Sequence, residues 1–328
     1  MPKNPFFDFR NISEGDLQRL KSALQRRPGN NTYGRDIASL MDEFLSYVAS
    51  VLRQIHVRFR ERHPGDGLPE THLDYNPETD QERFMRDTWG VQADHWALIE
   101  VVEAYFTTML TILEKMHIPD DNHFMLTSLG SGPGLYETFL ARFFNRSGVG
   151  GILTCVDFAK EMTATQQYVI SLEQPPLLNV KPVTADMTRI PLPDHSQDAV
   201  LCNNSLQWCL QWPKAIEEMA RILDPSRKPW AYLVVHTHER PMHIGTDTGE
   251  CPIKMPRVLV PGILDELERH GFSIMTTRQI HGGAKTGQGQ AGFERLFIKA
   301  EFTPGGLRHS WRNATTSLDT VRAMRLKK

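Results

Sequence analysis

Cysteine, unbalanced charge and long apolar runs are all scarce in this chain. The 328 residues include four cysteines without a C-x-x-C pair, so the sequence predicts neither a zinc site nor a redox pair. The 37 Lys and Arg residues stand against 39 Asp and Glu residues, and no basic excess favours nucleic acid or an anionic membrane as a partner. Neither a signal-peptide core nor an apolar run of about 18 residues is found. We therefore expect a cytoplasmic protein without a metal, nucleic-acid or membrane partner.

A glycine-rich loop is the most informative feature that is present. The apolar segment 125–129 leads into Gly130-Ser131-Gly132-Pro133-Gly134, and a helix is predicted from about Leu135. The alternating glycines leave no Cβ between the backbone and a ligand and permit positive φ, while the first N–H groups of the helix face the loop. A dinucleotide fingerprint, G-x-G-x-x-G, would need glycine at position 135, which is leucine. Taken alone, the loop is equally well explained as an ordinary tight turn.

The first 120 residues are predicted to be mainly helical. Apolar residues recur at steps of three and four, which predicts a long helix with an apolar stripe. The stripe consists of Ile37, Met41, Phe44, Val48, Val51 and Ile55. Such a stripe usually packs on a helix of the same chain, and the alternative is a homodimer through these N-terminal helices. A loop at 63–69 and two helices, at about 79–88 and 92–117, are predicted to follow.

From about residue 123 the pattern alternates between short strands and helices, which is typical of a parallel α/β sheet. Seven strands are predicted, at 125–129, 152–156, 180–184, 198–203, 230–236, 273–280 and 294–302. A glycine-rich loop joins the last two strands directly, so they can pair as an antiparallel hairpin. We therefore expect a helical N-terminal extension over 1–120, an α/β domain over 121–303 and a basic tail over 304–328.

Acidic residues follow the second and third predicted strands. Asp157 lies 23 residues after Gly134, where a carboxylate can accept hydrogen bonds from both ribose hydroxyls. Because NAD-dependent enzymes place an acid at the same point, Asp157 alone predicts only nucleoside binding. Asp186 follows the third strand, and from the residue alone a turn cap and a ligand contact are equally supported.

The order of these motifs resembles that of class I S-adenosylmethionine (SAM) methyltransferases. The resemblance is carried by the G-x-G-x-G loop, the acid-x-x-x-x-Met segment 157–162 and the segment 183–187. The segment that follows the fourth strand is similar to small-molecule enzymes such as the malonyl-carrier, trans-aconitate and quinone-ring methyltransferases. Its Leu206-Gln207-Trp208-Cys209 looks most like the first two, which act on carboxylates. The similarity covers about 123–237, and residues 224–229 depart from the family by replacing its customary Pro-Gly-Gly. The N-P-P-[YF] signature of nucleic-acid amine methylation is absent.

The resemblance implies a Rossmann-like methyltransferase fold, with a mostly parallel seven-stranded sheet and an antiparallel terminal hairpin, that binds SAM. It implies that Phe158 and Met162 flank the adenine, that Asp186 accepts from its exocyclic amine, and that Met187 supplies a backbone amide. The cofactor-binding residues it implies are Gly130, Ser131, Gly132, Gly134, Asp157, Phe158, Met162, Asp186, Met187 and Asn203.

The activity implied is SN2 transfer of the SAM methyl group to a small-molecule or carrier-bound acceptor, with O-methylation favoured. His236 and His238 follow the fifth strand and are candidates for a catalytic base or a substrate clamp, or are ordinary loop histidines. Trp208 and Trp212 either line the acceptor side or pack beneath it, and 94–96 is a candidate lid. The alternative functions are a subunit that binds SAM or S-adenosylhomocysteine (SAH) without turnover, and an NAD-linked oxidoreductase.

Overall fold

The computed structural model describes residues 80–91, 115–119, 123–173, 179–236, 260–281 and 294–305, with single positions within 47–62 and at 93, 108 and 111–113. The helices are α1 (Gln81–Val91), α2 (Leu135–Arg146), α3 (Lys160–Ser171), α4 (Trp212–Ile222) and α5 (Val260–Arg269). The strands are β1 (His123–Leu129), β2 (Gly150–Asp157), β3 (Val180–Thr184), β4 (Ala199–Asn203), β5 (Trp230–His236), β6 (Phe272–His281) and β7 (Glu294–Phe302). Within this described part, no helix has the length and apolar character needed to span a bilayer.

The seven strands form one sheet in the order β3-β2-β1-β4-β5-β7-β6. The first five strands are parallel to their neighbours, and β7 runs antiparallel to both β5 and β6. This confirms the predicted parallel sheet with a terminal hairpin, and the seven predicted strands match the observed ones within two residues. Because the chain leaves β1 toward β2 and later returns to it with β4, a crevice opens at the carboxyl ends of β1 and β4.

Both faces of the sheet are covered by apolar side chains, which is why its central strands are nearly continuous apolar runs. On one face, Phe124 and Leu126 join a core with α2, and on the other face Leu129 joins a core with α4 and α5. α2 has Glu137 in its first turn and Arg146 in its last, as the helix dipole favours. The cores fix β1 and α2, and with them the loop that connects these two elements.

Part of the N-terminal apolar stripe is buried against the sheet domain. Val51 and Ile55 are 2% and 0% exposed and belong to the same core as α2. The ring of Tyr47 lies 5.8 Å from that of Phe139 of α2. At these positions the stripe packs within its own chain, as the first alternative predicted. A homodimer through the N-terminal helices stays a prediction, and the rest of the stripe, the loop 63–69 and the tail from 306 lie outside the described residues.

The turn that departs from the family pattern has its own geometry. The Asp224 carboxylate accepts from the backbone N–H of Ser226 at 2.9 Å and begins a short 3₁₀ turn, Pro225–Arg227. Lys228 then adopts a left-handed backbone with φ of 50°. The chain therefore reverses into β5 without a glycine.

Candidate functional site

A cleft lies at the carboxyl ends of β1 to β4, beneath α1. It encloses about 930 Å³ of empty space, part of which is open to solvent. The residues lining it are Glu82, Met85, Arg86, Trp89, Gly130, Gly132, Val156, Asp157, Phe158, Met162, Ala185, Asp186, Met187, Thr188, Asn204, Ser205, Trp208, Cys209, Leu210 and Gln211. This is the edge of an open α/β sheet at which ligands bind.

The glycine loop forms the floor of the cleft. Gly130, Gly132 and Gly134 have φ values of 61°, 57° and 75°, in the left-handed region that side chains disfavour. A Cβ on Gly134 would also lie 2.3 Å from Cγ of Gln166 in α3. The Ser131 N–H donates to the Val156 carbonyl at 3.1 Å, which ties the loop to β2. The alternate glycines are therefore required by the backbone and by close packing.

Asp157 sits at the end of β2 and anchors the loop from the other side. Its carboxylate is 6% exposed and accepts from the backbone N–H groups of Gly132 at 2.9 Å and Ala159 at 3.0 Å. Burial raises the pKa of Asp157 to about 6, although these amide hydrogen bonds oppose the shift. The backbone N–H of Phe158 also interacts with this carboxylate. Of about four lone-pair sites, one therefore remains to accept from a ribose hydroxyl.

Phe158 and Met162 form an apolar wall with Trp89 of α1. Met162 is buried, and both side chains pack in a small cluster that includes Trp89. The indole of Trp89 meets that of Trp208 edge to face, with ring centroids 5.2 Å apart. A wall of this kind suits a flat, partly apolar ring such as a nucleobase.

Asp186 and Met187 line the same cleft beyond β3. The Asp186 carboxylate accepts from the Thr188 N–H at 2.7 Å, so the turn cap exists. The same residue nevertheless borders the cleft. A cap and a ligand contact are compatible here, because one carboxylate has room for both.

The end of β4 places Asn204 in the cleft, and Asn203 does not line it. The Oδ1 atom of Asn203 is buried and has no hydrogen-bond partner among the described residues. Asn204 has a φ of 56° and accepts at Oδ1 from Gln207 Nε2 at 2.7 Å. Ser205, beside it, donates to the Leu129 carbonyl at 2.7 Å. The role predicted for Asn203 stays a prediction, and the sequence analysis missed Asn204 and Ser205.

Helix α1 provides the cover of the cleft. Glu82, Met85, Arg86 and Trp89 are spaced to share one helix face, and all of them line the cleft. Near its start, Gln211 Nε2 donates to Glu82 Oε1 at 3.3 Å. The sequence predicted a helix at about 79–88 but gave it no role in a site. The spacing of Glu82, Met85, Arg86 and Trp89 along one helix face was the signal that could have identified α1 as part of the site.

The two tryptophans that the sequence left undecided are separated by the structure. Trp208 lines the cleft. Trp212 instead packs against the core shared by α4 and α5, and its ring lies 3.7 Å from where a Cβ at Gly262 of α5 would be. The candidate lid at 94–96 lies outside the described residues. His236 ends β5, but its side chain is outside the described part of the chain, as is the whole of His238. The roles proposed for both histidines stay predictions, and no described histidine lines the cleft.

A second buried carboxyl group lies next to the loop. Glu137, in the first turn of α2, is 2% exposed, and its Oε1 accepts from Ser128 Oγ at 2.6 Å. Its Oε2 has no hydrogen-bond partner within the described residues. Burial raises the pKa of Glu137 to about 7, and the negative charge of Asp157 adds to the shift. The sequence analysis missed this residue, although a lone acid within the apolar run 135–140 was a usable signal.

Comparison with known proteins agrees with this geometry. The sequence model described as "Methyltransferase domain" matches residues 127–227, the segment that carries the loop, Asp157 and Asp186. A malonyl-[acyl-carrier protein] O-methyltransferase from Buchnera aphidicola subsp. Baizongia pistaciae is 34% identical over 77 residues. That match covers 24% of this chain and 28% of the relative.

Solved structures of similar fold include a SAM-dependent methyltransferase from Aquifex aeolicus, 18% identical with a TM-score of 0.43, which matches 60% of this chain and 89% of that one. They also include the magnesium protoporphyrin IX methyltransferase of Synechocystis PCC 6803 with bound SAM. It is 14% identical with a TM-score of 0.46, and the match covers 71% of this chain and all of that one.

The sheet order and the position of the loop define a Rossmann-like α/β domain with a cleft at the carboxyl ends of its parallel strands. Over residues 127–227 the chain is similar to a methyltransferase domain. Leu135 stands where a dinucleotide fingerprint has its third glycine, which disfavours an NAD-linked oxidoreductase.

Proposed function

We propose that this chain transfers the methyl group of SAM to a small-molecule or carrier-bound acceptor, with an oxygen atom as the favoured target. The observation that carries the proposal is the joint geometry of the glycine loop and Asp157. The loop lines the cleft with Gly130 and Gly132, which carry no Cβ, and the carboxylate that holds the Gly132 amide keeps a lone-pair site for a ribose hydroxyl. The family of residues 127–227 supports the same reading.

The lining residues fit the parts of the proposed cofactor. Gly130, Gly132 and Gly134 would pass beneath its methionine portion, and Asp157 would accept from a ribose hydroxyl. Phe158 and Met162 would flank the adenine, with Asp186 at its amine edge. When bound, SAM supplies a methyl group that is already activated by its positive sulfur.

The task left to the protein is alignment of the acceptor with that methyl group. Orientation alone supplies much of the acceleration of such reactions, up to about 7–11 kcal/mol for well-aligned groups. Helix α1 and the segment 206–211 face each other across the cleft through Trp89 and Trp208. We assign to these two segments the tasks of excluding water and holding the acceptor, so that the N-terminal extension completes the pocket.

An acidic acceptor would need no catalytic base, since a carboxylate is already a nucleophile, whereas a phenol or alcohol would need one. The curated relative that matches 77 residues is an O-methyltransferase, which supports oxygen as the target. Release of SAH in the presence of small carboxylic acids, measured against a reaction without acceptor, separates an enzyme from a protein that binds the cofactor without turnover.

Thermal unfolding with SAM, SAH, NAD or no ligand tests the cofactor assignment. A ligand at 100 times its dissociation constant stabilises a single-site protein by about 2.7 kcal/mol. We expect SAM and SAH to raise the melting temperature of the wild type and to have little effect on Asp157→Ala. Asp194→Ala is the control, because Asp194 is exposed and pairs with Arg221 away from the cleft. No shift with either compound, or a shift with NAD alone, overturns the proposal.

A further inference from the structure

Two buried carboxyl groups flank the glycine loop, and neither forms an ion pair with a described cation. Asp157 and Glu137, here called the carboxyl pair, flank the loop, from β2 on one side and from the first turn of α2 on the other. Both are nearly inaccessible to solvent, at 6% and 2% exposure. Within the described structure, the groups that donate to Asp157 are backbone amides. Glu137 accepts from Ser128, and its second oxygen has no partner among the described residues.

Among the described residues, the groups that interact with Glu137 are neutral or acidic. Arg86 of α1 lines the adjoining cleft but forms no ion pair with Glu137 or Asp157 in the described structure. From β1, Glu137 meets the neutral hydroxyl of Ser128, and from β2 the titratable groups that interact with it are Asp157 and Cys155. Burial raises the pKa of the Cys155 thiol well above its usual range, so that group stays neutral. Among the described residues, no Lys, Arg or His forms an ion pair with either member of the carboxyl pair.

Such an arrangement is unfavourable in the absence of a ligand. For a buried carboxylate without a cation, a few hydrogen bonds replace only part of the lost hydration, and two such groups also repel each other. A positive charge placed in the adjoining cleft would relieve both effects. The site is therefore electrostatically suited to a cationic ligand.

We propose that Glu137, acting with Asp157, makes this site prefer the positively charged SAM over the uncharged thioether SAH, and that the preference increases with pH. The inference rests on the proposed function and names a residue that acts through its charge, since Glu137 does not line the cleft. In the reaction an acceptor oxygen forms the new C–O bond as the S–CH₃ bond breaks. The bonding pair stays on sulfur, which becomes neutral, so the attraction that held the substrate is lost in the product.

The direction of the pH dependence follows from the carboxyl pair. With the pKa of Glu137 at about 7 and that of Asp157 at about 6, both groups are largely ionised only above pH 7. A cation that lowers one such pKa by about one unit gains up to about ten-fold in affinity as the pH rises through that range. Affinity for SAM should therefore rise from pH 6 to pH 8. Affinity for SAH should change less, because its sulfur carries no charge.

The test is calorimetric titration of the wild type, Glu137→Gln and Glu173→Gln with SAM and with SAH at pH 6 and pH 8. Glu173→Gln is the matched control, because Glu173 is also buried but pairs with Arg142 at 3.2 Å and does not line the cleft. We expect Glu137→Gln to lose on the order of ten-fold in SAM affinity at pH 8. It should lose less than about two-fold for SAH, and the control should match the wild type.

The outcomes separate the two proposals. If neither compound binds the wild type, the proposed function fails. If both bind and Glu137→Gln weakens them equally, Glu137 has only a structural role and the inference is wrong. Measurements on the wild type alone also test the inference. A ratio of SAM affinity to SAH affinity that does not rise between pH 6 and pH 8 would show that the inference is wrong. Glu137→Asp keeps the charge and should retain the preference.

Discussion

The buried carboxylates at the two ends of the parallel sheet differ in the groups that pair with them. At the amino end, Asp198 pairs with Arg227 and also accepts from the Met125 N–H at 2.7 Å. Glu173, beyond the end of α3, pairs with Arg142 at 3.2 Å. At the carboxyl end, the donors to Asp157 and Glu137 among the described residues are amide and hydroxyl groups. Within the described part of the chain, the buried carboxylates at the amino end form ion pairs, and these two at the carboxyl end do not.

This difference indicates which end of the sheet maintains the fold and which end serves a ligand. A buried ion pair leaves no uncompensated charge, and removing one partner is strongly destabilising. A buried carboxylate without a cation lowers stability until something else supplies the charge, and such sites occur where function requires them. Substitutions at the two ends should therefore separate stability from ligand binding.

The largest stability effect is expected from Arg227→Ala at the amino end. The substitution leaves Asp198, 3% exposed in its side chain, without its cation, and it also removes the hydrogen bond from Arg227 to the His123 carbonyl. We expect a loss of about 2–3 kcal/mol in the free energy of unfolding, below the value for a fully buried pair because water can reach Arg227. Urea denaturation measures it.

The control for this substitution is Arg227→Lys, which keeps the charge and should lose less than half as much. Binding of SAM and SAH to folded Arg227→Ala should stay within about two-fold of the wild type, because additivity holds between distant sites. A large and selective loss of SAM affinity in this variant would contradict the division between the two ends.

A smaller effect, and one of opposite sign, is expected from Glu137→Gln in the ligand-free protein. The folded-state pKa of Glu137, about 7, lies above its ordinary value of 4.5, so the folded protein holds this proton where the unfolded chain has released it. Stability from this group is therefore lost as the pH rises from about 4.5 to 7. Glu137→Gln lacks this titrating group. The difference in the free energy of unfolding between the variant and the wild type should therefore increase, in favour of the variant, by on the order of 2 kcal/mol between pH 5 and pH 8.

Urea midpoints of both proteins across this pH range measure the difference. All other titrating groups are common to the two proteins, and Asp157, with its lower pKa, contributes mainly below pH 6. A difference that stays constant with pH would show that Glu137 is ionised to the same extent in the folded and unfolded chains. The pH-dependent selectivity inferred above would then lose its basis.

The sequence was sufficient for the sheet because strands and their connections are local patterns. Short apolar segments bounded by turn residues predicted the seven strands, and the glycine-rich loop that joins the last two strands directly predicted the hairpin. The loop, Asp157 and the segment after β3 were found because their spacing along the chain is itself the signal. These residues all reach the cleft by following directly from a strand end.

The cover of the cleft and the carboxyl pair could not be predicted in this way. Trp89 meets Trp208 across more than a hundred residues, and nothing local to either residue indicates the contact. The burial of Glu137 becomes evident only when α2 is placed on the sheet, because that burial comes from tertiary packing and not from its neighbours in sequence. The cleft is lined by Asn204 and not by Asn203, a distinction of one residue that reverses the face of a strand and that a sequence pattern does not resolve.

The smallest effect concerns two left-handed residues, Asn204 at the carboxyl end and Lys228 at the amino end. Their φ values are 56° and 50°, where glycine is unstrained and alanine costs about 1–2 kcal/mol. Lys228 is exposed and its side chain makes no hydrogen bond in the described structure, so Lys228→Gly should be neutral or stabilising by up to about 1 kcal/mol. Asn204→Gly relieves less strain, because asparagine tolerates this region, and it removes one of the two acceptors of Gln207 Nε2 while the Asn204 carbonyl stays. It should therefore destabilise the protein by about 1 kcal/mol, since Gln207 is buried and its Oε1 already lacks a partner in the described part of the chain. Equal changes in the free energy of unfolding at the two positions, measured by urea denaturation, would mean that the hydrogen bond from Gln207 to the Asn204 side chain does not stabilise the protein.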